Sequence, residues 1–561
     1  MRLHHLIRRA RIATIAAMFA AISVSVFAQN GQSQFSISLQ QASAQAAAQP
    51  QTESVRRLSI DEAVTLAMEQ NLGIRIQRYD PQISDISVWQ ARSFWAPSLS
   101  STVQRNSNHQ PVTSVLSGTV ASLQTGVFSA GATLAQQLPW GASYAVNWNN
   151  SRFTTNDLSA SVNPRVGSNM SLQFTQPLLR NFEIDQIRQQ VLDSKKGREL
   201  SDIQLTGVIT GTLRAVKNAY WDLSYANANL KTQQQSLALS QQSLKDEQKR
   251  VEIGVRAPID IVQAQAEVAS NEERVIVAEA AIKAAQDNLR SLILDPGTAD
   301  FWTITFEPTD AASFSAQAID VDAAVTNALD KRSDLRSAKN SLEISDINMK
   351  YYRNQIKPDV NAQLTYGAAG IGGTQQSGGF NPLTGQTTPV TFIDRSYGAA
   401  LGDVFSNAFP QWAFGIQVGY PLGASTAQAN LARVRLQYEQ ARTQLRNIEM
   451  QIATQVRGAA RNVQTNQQRV QSARASRELQ EKKLEAEEKK LAAGMSSSFF
   501  VFQAQRDLAQ ARTIEIQAIS DYNKSLVDFE AVQQVPLGGG GGFITTAGSG
   551  AVATGGIFRQ Q

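Results

Sequence analysis

The chain has 561 residues, no cysteine, three histidines, 42% hydrophobic and 18% charged residues, and a formal net charge of +5. The lack of cysteine excludes a disulfide framework, a thiolate nucleophile, a Cys-ligated zinc site, an iron–sulfur cluster and a lipid anchor on cysteine. The hydrophobic fraction suits a globular protein and is too low for a bundle of membrane helices.

The chain opens with Arg2, Arg8, Arg9 and Arg11, then an apolar run over 12–27, then Val26-Phe27-Ala28. A basic start, a short apolar core and a small-x-small site predict a signal peptide over 1–28. The apolar run is shorter than the ~20 residues of a membrane span. Its cleavage removes four arginines and no acid, taking the charge from +5 to about +1 and leaving no basic surplus for nucleic acid. Residues 29–57, rich in Gln, Ala and Ser, read as a disordered linker, and the Gly-rich 536–561 as a disordered tail.

The body between them is written twice. Asp61, Ala63-Val64-Thr65, Ile83-Ser84-Asp85-Ile86 and Pro97 meet Asp322, Ala324-Val325-Thr326, Ile344-Ser345-Asp346-Ile347 and Pro358 without a gap. Further on, Gln176-Pro177-Leu178 meets Tyr420-Pro421-Leu422, and Gly254 meets Gly494. The units run over 58–318 and 319–535. Each holds a helical segment ending at proline, a β-rich stretch (about 98–176 and 359–420), and a long helical hairpin with its tip near 254 or 494.

The hairpins carry heptads. Ile209, Val216, Leu223, Leu230, Leu237, Leu244 and Val251 recur every seven residues, as do Ile261, Val268, Val275, Ile282 and Leu289. In the second unit Val456, Val463, Val470, Leu484 and Leu491 keep the period with Arg477 interrupting, and Val501, Leu508, Tyr522 and Phe529 keep it with Glu515 interrupting. Such seams predict coiled coil. No proline falls in 181–252, which allows roughly 105 Å of unbroken helix at ~1.5 Å per residue. The helices predicted over 59–96 and 259–294 would together flank it, with 322–357 and 499–532 flanking its counterpart.

In the β-rich parts Trp412, Phe414, Ile416, Val418 and Tyr420 alternate with small or polar residues, as do Tyr144, Val146 and Trp148, and Met170, Leu172 and Phe174. One apolar face over about ten residues fits a transmembrane barrel strand. A soluble sandwich would use the same alternation but gives no reason for helices of that length. The Gly/Ser/Asn/Thr-rich stretches 105–126 and 367–410 read as long loops.

Signal peptide, duplication, strand pairs and long hairpins together resemble the TolC-like outer-membrane efflux protein family over about 58–535. The wording agrees at "LSIDEAVTLAMEQN" (58–71), "FTQPLLRNF" (174–182), "RVEIGVRAPIDIVQAQAEV" (250–268) and "KLAAGMSSSFFVFQAQRDL" (490–508). The resemblance implies a mainly α fold with membrane β: a homotrimer sharing one 12-stranded β-barrel, or an extension of it, continuous with an α-helical coiled-coil barrel. About four strands per chain, with room for a further hairpin at Pro139-Trp140-Gly141, are too few to close alone, and three copies would supply about twelve. It implies a passive exit duct in the outer membrane of a Gram-negative-type bacterium, extending into the periplasm. The duct would serve tripartite efflux or type I secretion, with a periplasmic adaptor protein and an inner-membrane transporter of RND, ABC or MFS type as partners.

The family's tips dock the adaptor, which points to Gly254, Val255, Gly494 and Met495. Asp260 matches an acidic position of the family's first tip. Where the second tip often carries aspartates, this chain has Phe500 and Gln503, so an apolar gate of Phe499, Phe500 or Phe502 is expected in place of an acidic ring. Trp412, Phe414, Ile416, Val418 and Tyr420 would face lipid. The charge runs 245–250 and 482–490 read as solvated faces. No GxxxxGK[ST], HExxH or GxSxG pattern occurs, so no enzymatic, cofactor or metal site is expected. The competing reading is a secreted coiled-coil scaffold without channel activity.

Overall fold

The computed structural model describes residues 54–112, 122–157, 160–254, 257–297, 301–310, 312–380, 386–423 and 425–534. The predicted signal peptide, the tail and Val255 lie outside the described residues, as does the linker up to 53. Its last residues do not: Ser54–Leu58 forms β1, paired in parallel with β6 (Ile304–Pro308).

The helical segment opening the first unit is three helices, not one: α1 (Ile60–Gln70), α2 (Leu72–Gln77) and α3 (Tyr79–Ser93). Ser59 and Glu62 close a capping box at the start of α1. Asn71 then turns to ψ 122° and its side chain accepts from Ile74 N–H, ending one helix and capping the next. The second unit breaks at Arg332, ψ 130°, between α6 (Val321–Lys331) and α7 (Ser333–Gln355). Asn71 and Arg332 occupy the same repeat position, so the break is inherited with the duplication.

The long helices form as predicted. α4 (Gln186–Glu252) and α9 (Thr426–Ala492) have 67 residues each, about 100 Å at ~1.5 Å per residue. Asp185 and Ser425 cap their starts, and Lys249-Arg250 and Lys489-Lys490 meet the negative ends of their dipoles. Their return partners α5 (Pro258–Ile293) and α10 (Ser498–Gln533) have 36 residues each. α5 flanks one half of α4 and α3 the other, while α10 and α7 do the same for α9. α10 also packs on α4, so the hairpins lie side by side in the order α5, α4, α10, α9.

Apolar layers hold the second hairpin together: Val463, Val470, Ala518 and Tyr522 in one cluster, Leu484, Val501, Ala504 and Leu508 in the next. Where the hairpins meet the β1–β6 pair, Leu58, Tyr220, Leu223, Leu289, Ile293 and Phe306 make the largest core.

Seven of the described strands form one sheet, more than the four expected per chain, and the further hairpin allowed for at Pro139-Trp140-Gly141 is the turn between β3 and β4. β2 (Ser98–Pro111), β3 (Ser122–Gln137), β4 (Ser143–Thr155) and β5 (Val162–Pro177) all belong to the first unit. β5 pairs with β7 (Asp359–Phe380), whose far edge carries β9 (Pro410–Gly419) along its first half and β8 (Thr387–Arg395) along its second. Much of 105–126 and 367–410, read as loop, is therefore strand. It also holds a short helix, α8 (Tyr397–Phe405).

Every pairing in this sheet is antiparallel. Directly paired residues share a face, so the register sorts the side chains. Leu134, Val146, Leu172, Tyr366 and Trp412 form one row, and Phe174, Leu364 and Phe414 the next. The opposite face carries Thr133, Asn147, Ser171 and Gly367, then Gly131, Asn149, Asn169 and Ala369.

Candidate functional site

Both tips use the same turn. α4 and α9 end on glycines in the left-handed region, Gly254 at φ +76° and Gly494 at φ +75°. That conformation favours glycine because a Cβ there would crowd the carbonyl. An added Cβ would meet nothing else within 4 Å at either site, so the dihedral selects the residue and the space beyond is open. Met495 N–H returns to Lys490 O at 2.8 Å and closes the second turn. Around the turns Ile253, Ile259, Val262 and Met495 are exposed apolar side chains. Pro258 opens α5 at its first turn, and Asp260 sits in that turn.

Phe499 and Phe500 are both about half exposed and meet edge to face at 5.5 Å between ring centres. Gln503 is exposed one turn further on the same helix. Phe502 is buried, so it belongs to helix packing and leaves the gate candidates as Phe499, Phe500 and Gln503. Asp260 lies in the first turn of α5, in the other hairpin.

Residues not singled out from sequence join the hairpins near these tips. Glu247 lies inside the charge run 245–250 yet is buried. Ser498 of α10 donates to its Oε1, and Arg250 donates to the same oxygen at 3.0 Å. Its Oε2 has no partner among the described residues, an uncomfortable state for a carboxylate out of water. Heptad register carries the signal: Glu247 falls three residues after Leu244 and four before Val251, on the buried seam.

Arg506 of α10 donates to Glu267 of α5 at 2.7 Å. Further polar links join the hairpins: Gln505 to Ser243 at 3.3 Å beside Arg506, and farther from the tips Lys524 to Asp222 at 2.8 Å and Arg214 to Asp528 at 2.6 Å.

The lower sheet face is the second part of the site. Trp412, Phe414, Ile416 and Val418 are exposed along β9, and Tyr420 follows just past its end. Ten residues at ~3.4 Å would span about 25 Å if tilted by ~40°, the height of the apolar band typical of outer-membrane barrels. Among the described residues no helix is long and apolar enough to cross a membrane, and no group of three His, Cys, Asp or Glu side chains could hold a metal ion.

The outer membrane efflux protein model matches residues 63–293 and 324–532, one match per repeat. The chain belongs to the outer membrane efflux protein family. The family assignment covers the helices, the sheet between them and both tips. Solved structures share the fold at low identity. The outer-membrane channel OprN is 15% identical with a TM-score of 0.59, covering 85% of this chain and 89% of that one. The Campylobacter jejuni CmeC outer membrane channel is 13% identical with a TM-score of 0.59, covering 85% of each chain. The open state of the Neisseria gonorrhoeae MtrE outer membrane channel is 16% identical with a TM-score of 0.57, covering 85% and 89%. No curated protein matches the chain by sequence.

Proposed function

We propose that this efflux-family protein is a passive exit duct in the outer membrane, built by three copies and opened at its helical tips. The observation that carries the reading is a two-faced sheet whose two edges, β2 on one side and β8–β9 on the other, have no partner strand among the described residues. An open edge costs several kcal/mol per unsatisfied backbone group in lipid, so the sheet must close on further copies. β2 and β9 run in opposite directions, which suits antiparallel closure. Three copies would bring about eighteen strand positions to the wall, a wider barrel than twelve. The polar face of Thr133, Asn147 and Asn149 would then line the bore, and Trp412 to Tyr420 would meet lipid.

The helices support the same closure. α5 and α9 are the unpaired flanks of the helical layer and carry exposed Ile276, Val277, Leu436, Met450 and Leu479. The second hairpin is sealed inside by apolar layers, while the contact between hairpins includes partly exposed ion pairs, Arg214–Asp528 and Lys524–Asp222, that can exchange partners at little cost. We assign the Glu247–Ser498 and Glu267–Arg506 links as the latch that opening must release. Exposed Ile253, Ile259 and Met495 would receive the periplasmic adaptor, and an inner-membrane pump would supply energy. Phe499 and Phe500 would close the entrance by excluding water, with Asp260 and Gln503 as the polar candidates beside them.

Membrane fractionation tests the reading against the scaffold alternative. The full chain is expected in the outer membrane fraction and resistant to carbonate extraction. Recovery in the soluble periplasm would favour the scaffold.

A further inference from the structure

Helix α8 has a place that neither duct nor tip requires. It packs on β7 and β5. A Cβ on Gly370 would collide with Ala400 O, and one on Gly372 would come 2.9 Å from Arg395 O and Ser396 O. Gly370 and Gly372 share a face with Ala368 and Tyr366, by the period-2 alternation of β7. That is the face of Trp148, Met170 and Trp412. α8 therefore lies on the apolar side of the sheet, just beyond the band, and the wall beneath it is bare glycine because the helix occupies the side-chain space.

The wall there is also polar. Asn150 and Ser168 follow Trp148 and Met170 on the same face. α8 covers them: Tyr397 Oη donates to Asn150 Oδ1 at 2.8 Å, Ser168 Oγ donates to the same oxygen at 2.7 Å, and Trp148 Nε1 donates to Ser168 Oγ at 3.1 Å. Asn407 pins the far end to the Tyr366 hydroxyl at 2.6 Å. Ala400 and Val404 are buried against the strands, while Tyr397, Phe405 and Phe409 are exposed. Asp403, the helix's one charge, is neutralised by Arg395 at 2.9 Å.

We infer that α8 is an interfacial strap that seats the barrel in the outer leaflet, with Phe405 and Phe409 in the boundary between acyl chains and headgroups. The occupant of its exposed face is lipid, because that face continues the band of Trp412 and Tyr366 and carries no unpaired charge. Aromatic side chains beside a short neutralised helix are the chemistry of that boundary. The inference rests on the proposed lipid-facing role of the lower sheet face.

The natural chain has no cysteine, so single-cysteine variants label without background. Nitroxide would be attached to Phe405→Cys, Phe409→Cys, Trp412→Cys and Gln376→Cys in the full chain. Collision rates with oxygen and with a nickel chelate would be read in vesicles of phosphatidylethanolamine and phosphatidylglycerol. The labels at 405 and 409 are expected to favour oxygen several-fold over the chelate, at a depth between 412 and 376. Chelate access at 405 equal to that at 376, with 412 still lipidic, would overturn the strap alone. Shielding of 405 from both colliders would mean a protein partner and also overturn it. Chelate access at both 405 and 412 would instead remove the lipid-facing reading itself.

Discussion

Arg477 and Glu515, the two polar residues that interrupt the seams of α9 and α10, face each other: Arg477 Nε lies 2.5 Å from Glu515 Oε2. Their layer sits between one cluster holding Val470 and Tyr522 and another holding Leu484 and Leu508. Arg477 also reaches Glu481, which accepts from Arg512 at 3.0 Å. Two breaks in an apolar pattern thus become one ion pair, and a slip of one heptad would bury each charge against an apolar side chain.

The pair predicts a double-mutant result. Arg477→Leu alone should destabilise the hairpin by about 1–2 kcal/mol, because Glu515 keeps a half-buried charge with its nearest partner gone. Adding Glu515→Leu should recover most of that loss. Thermal melts of the two single variants and the double variant read it directly. Additive losses would mean the two residues do not act together.

Glu481 makes the hairpin sensitive to acid. Hydrogen bonding from Arg512, then from Arg477, holds its carboxyl below the usual value. A depressed folded value stabilises above the unfolded carboxylate value near ~4.3, and the gain disappears as pH falls through the folded value. Wild type should melt above Glu481→Gln at pH 7, and the gap should close below about pH 4. A gap that does not change with pH would contradict this.

Tyr220 ties the hairpins to the β1–β6 pair. Its hydroxyl donates to Asp310 at 2.8 Å with Leu58 O at 3.1 Å, and Ile60 N–H donates to the same carboxylate oxygen at 2.8 Å. Burial pushes the phenol up to about 12, so it stays a donor through the neutral range. Tyr220→Phe should cost about 1–3 kcal/mol by removing the donated bonds and taking away the hydroxyl that accepts from the Asp310 N–H at 3.1 Å. Faster exchange of the amide protons in β1 would localise the loss.

At the tips, Gly254→Ala and Gly494→Ala should each cost about 1 kcal/mol in dihedral strain, with Asn cheaper than Ala at both. Equal stability of the Ala and Asn variants would place the constraint outside the dihedral.

Much of this was legible in sequence because it rests on period. Heptads located all four hairpin helices, and the repeat located the paired glycine turns. The upper strands were hidden because they carry few large apolar residues in alternation, as in Gln104-Arg105-Asn106-Ser107-Asn108-His109-Gln110. Gly370 and Gly372, which suggested a loop, are glycines because α8 lies on them. The runs 59–96 and 322–357 were read as continuous because Asn71 and Arg332 are ordinary helix residues by composition. Asn71 breaks its helix through a side-chain cap, and Arg332 through an extended backbone without one. Glu247 was read with its charged neighbours, although the seam spacing from Leu244 to Val251 places it inside.

The latch predicts a change in current. Arg506→Ala should raise the open probability of the reconstituted protein several-fold by removing the Glu267 link, and Ser498→Ala should do so to a smaller degree. Unchanged gating in both variants would remove these residues from the mechanism.

The central claim is a water-filled duct shared between copies. Single-channel recording of the purified full chain in a planar bilayer, with the mass of the inserted species measured in parallel, tests it most directly. Discrete current steps are expected from a species of three chains. A single-chain species that passes no current under any applied voltage would contradict it.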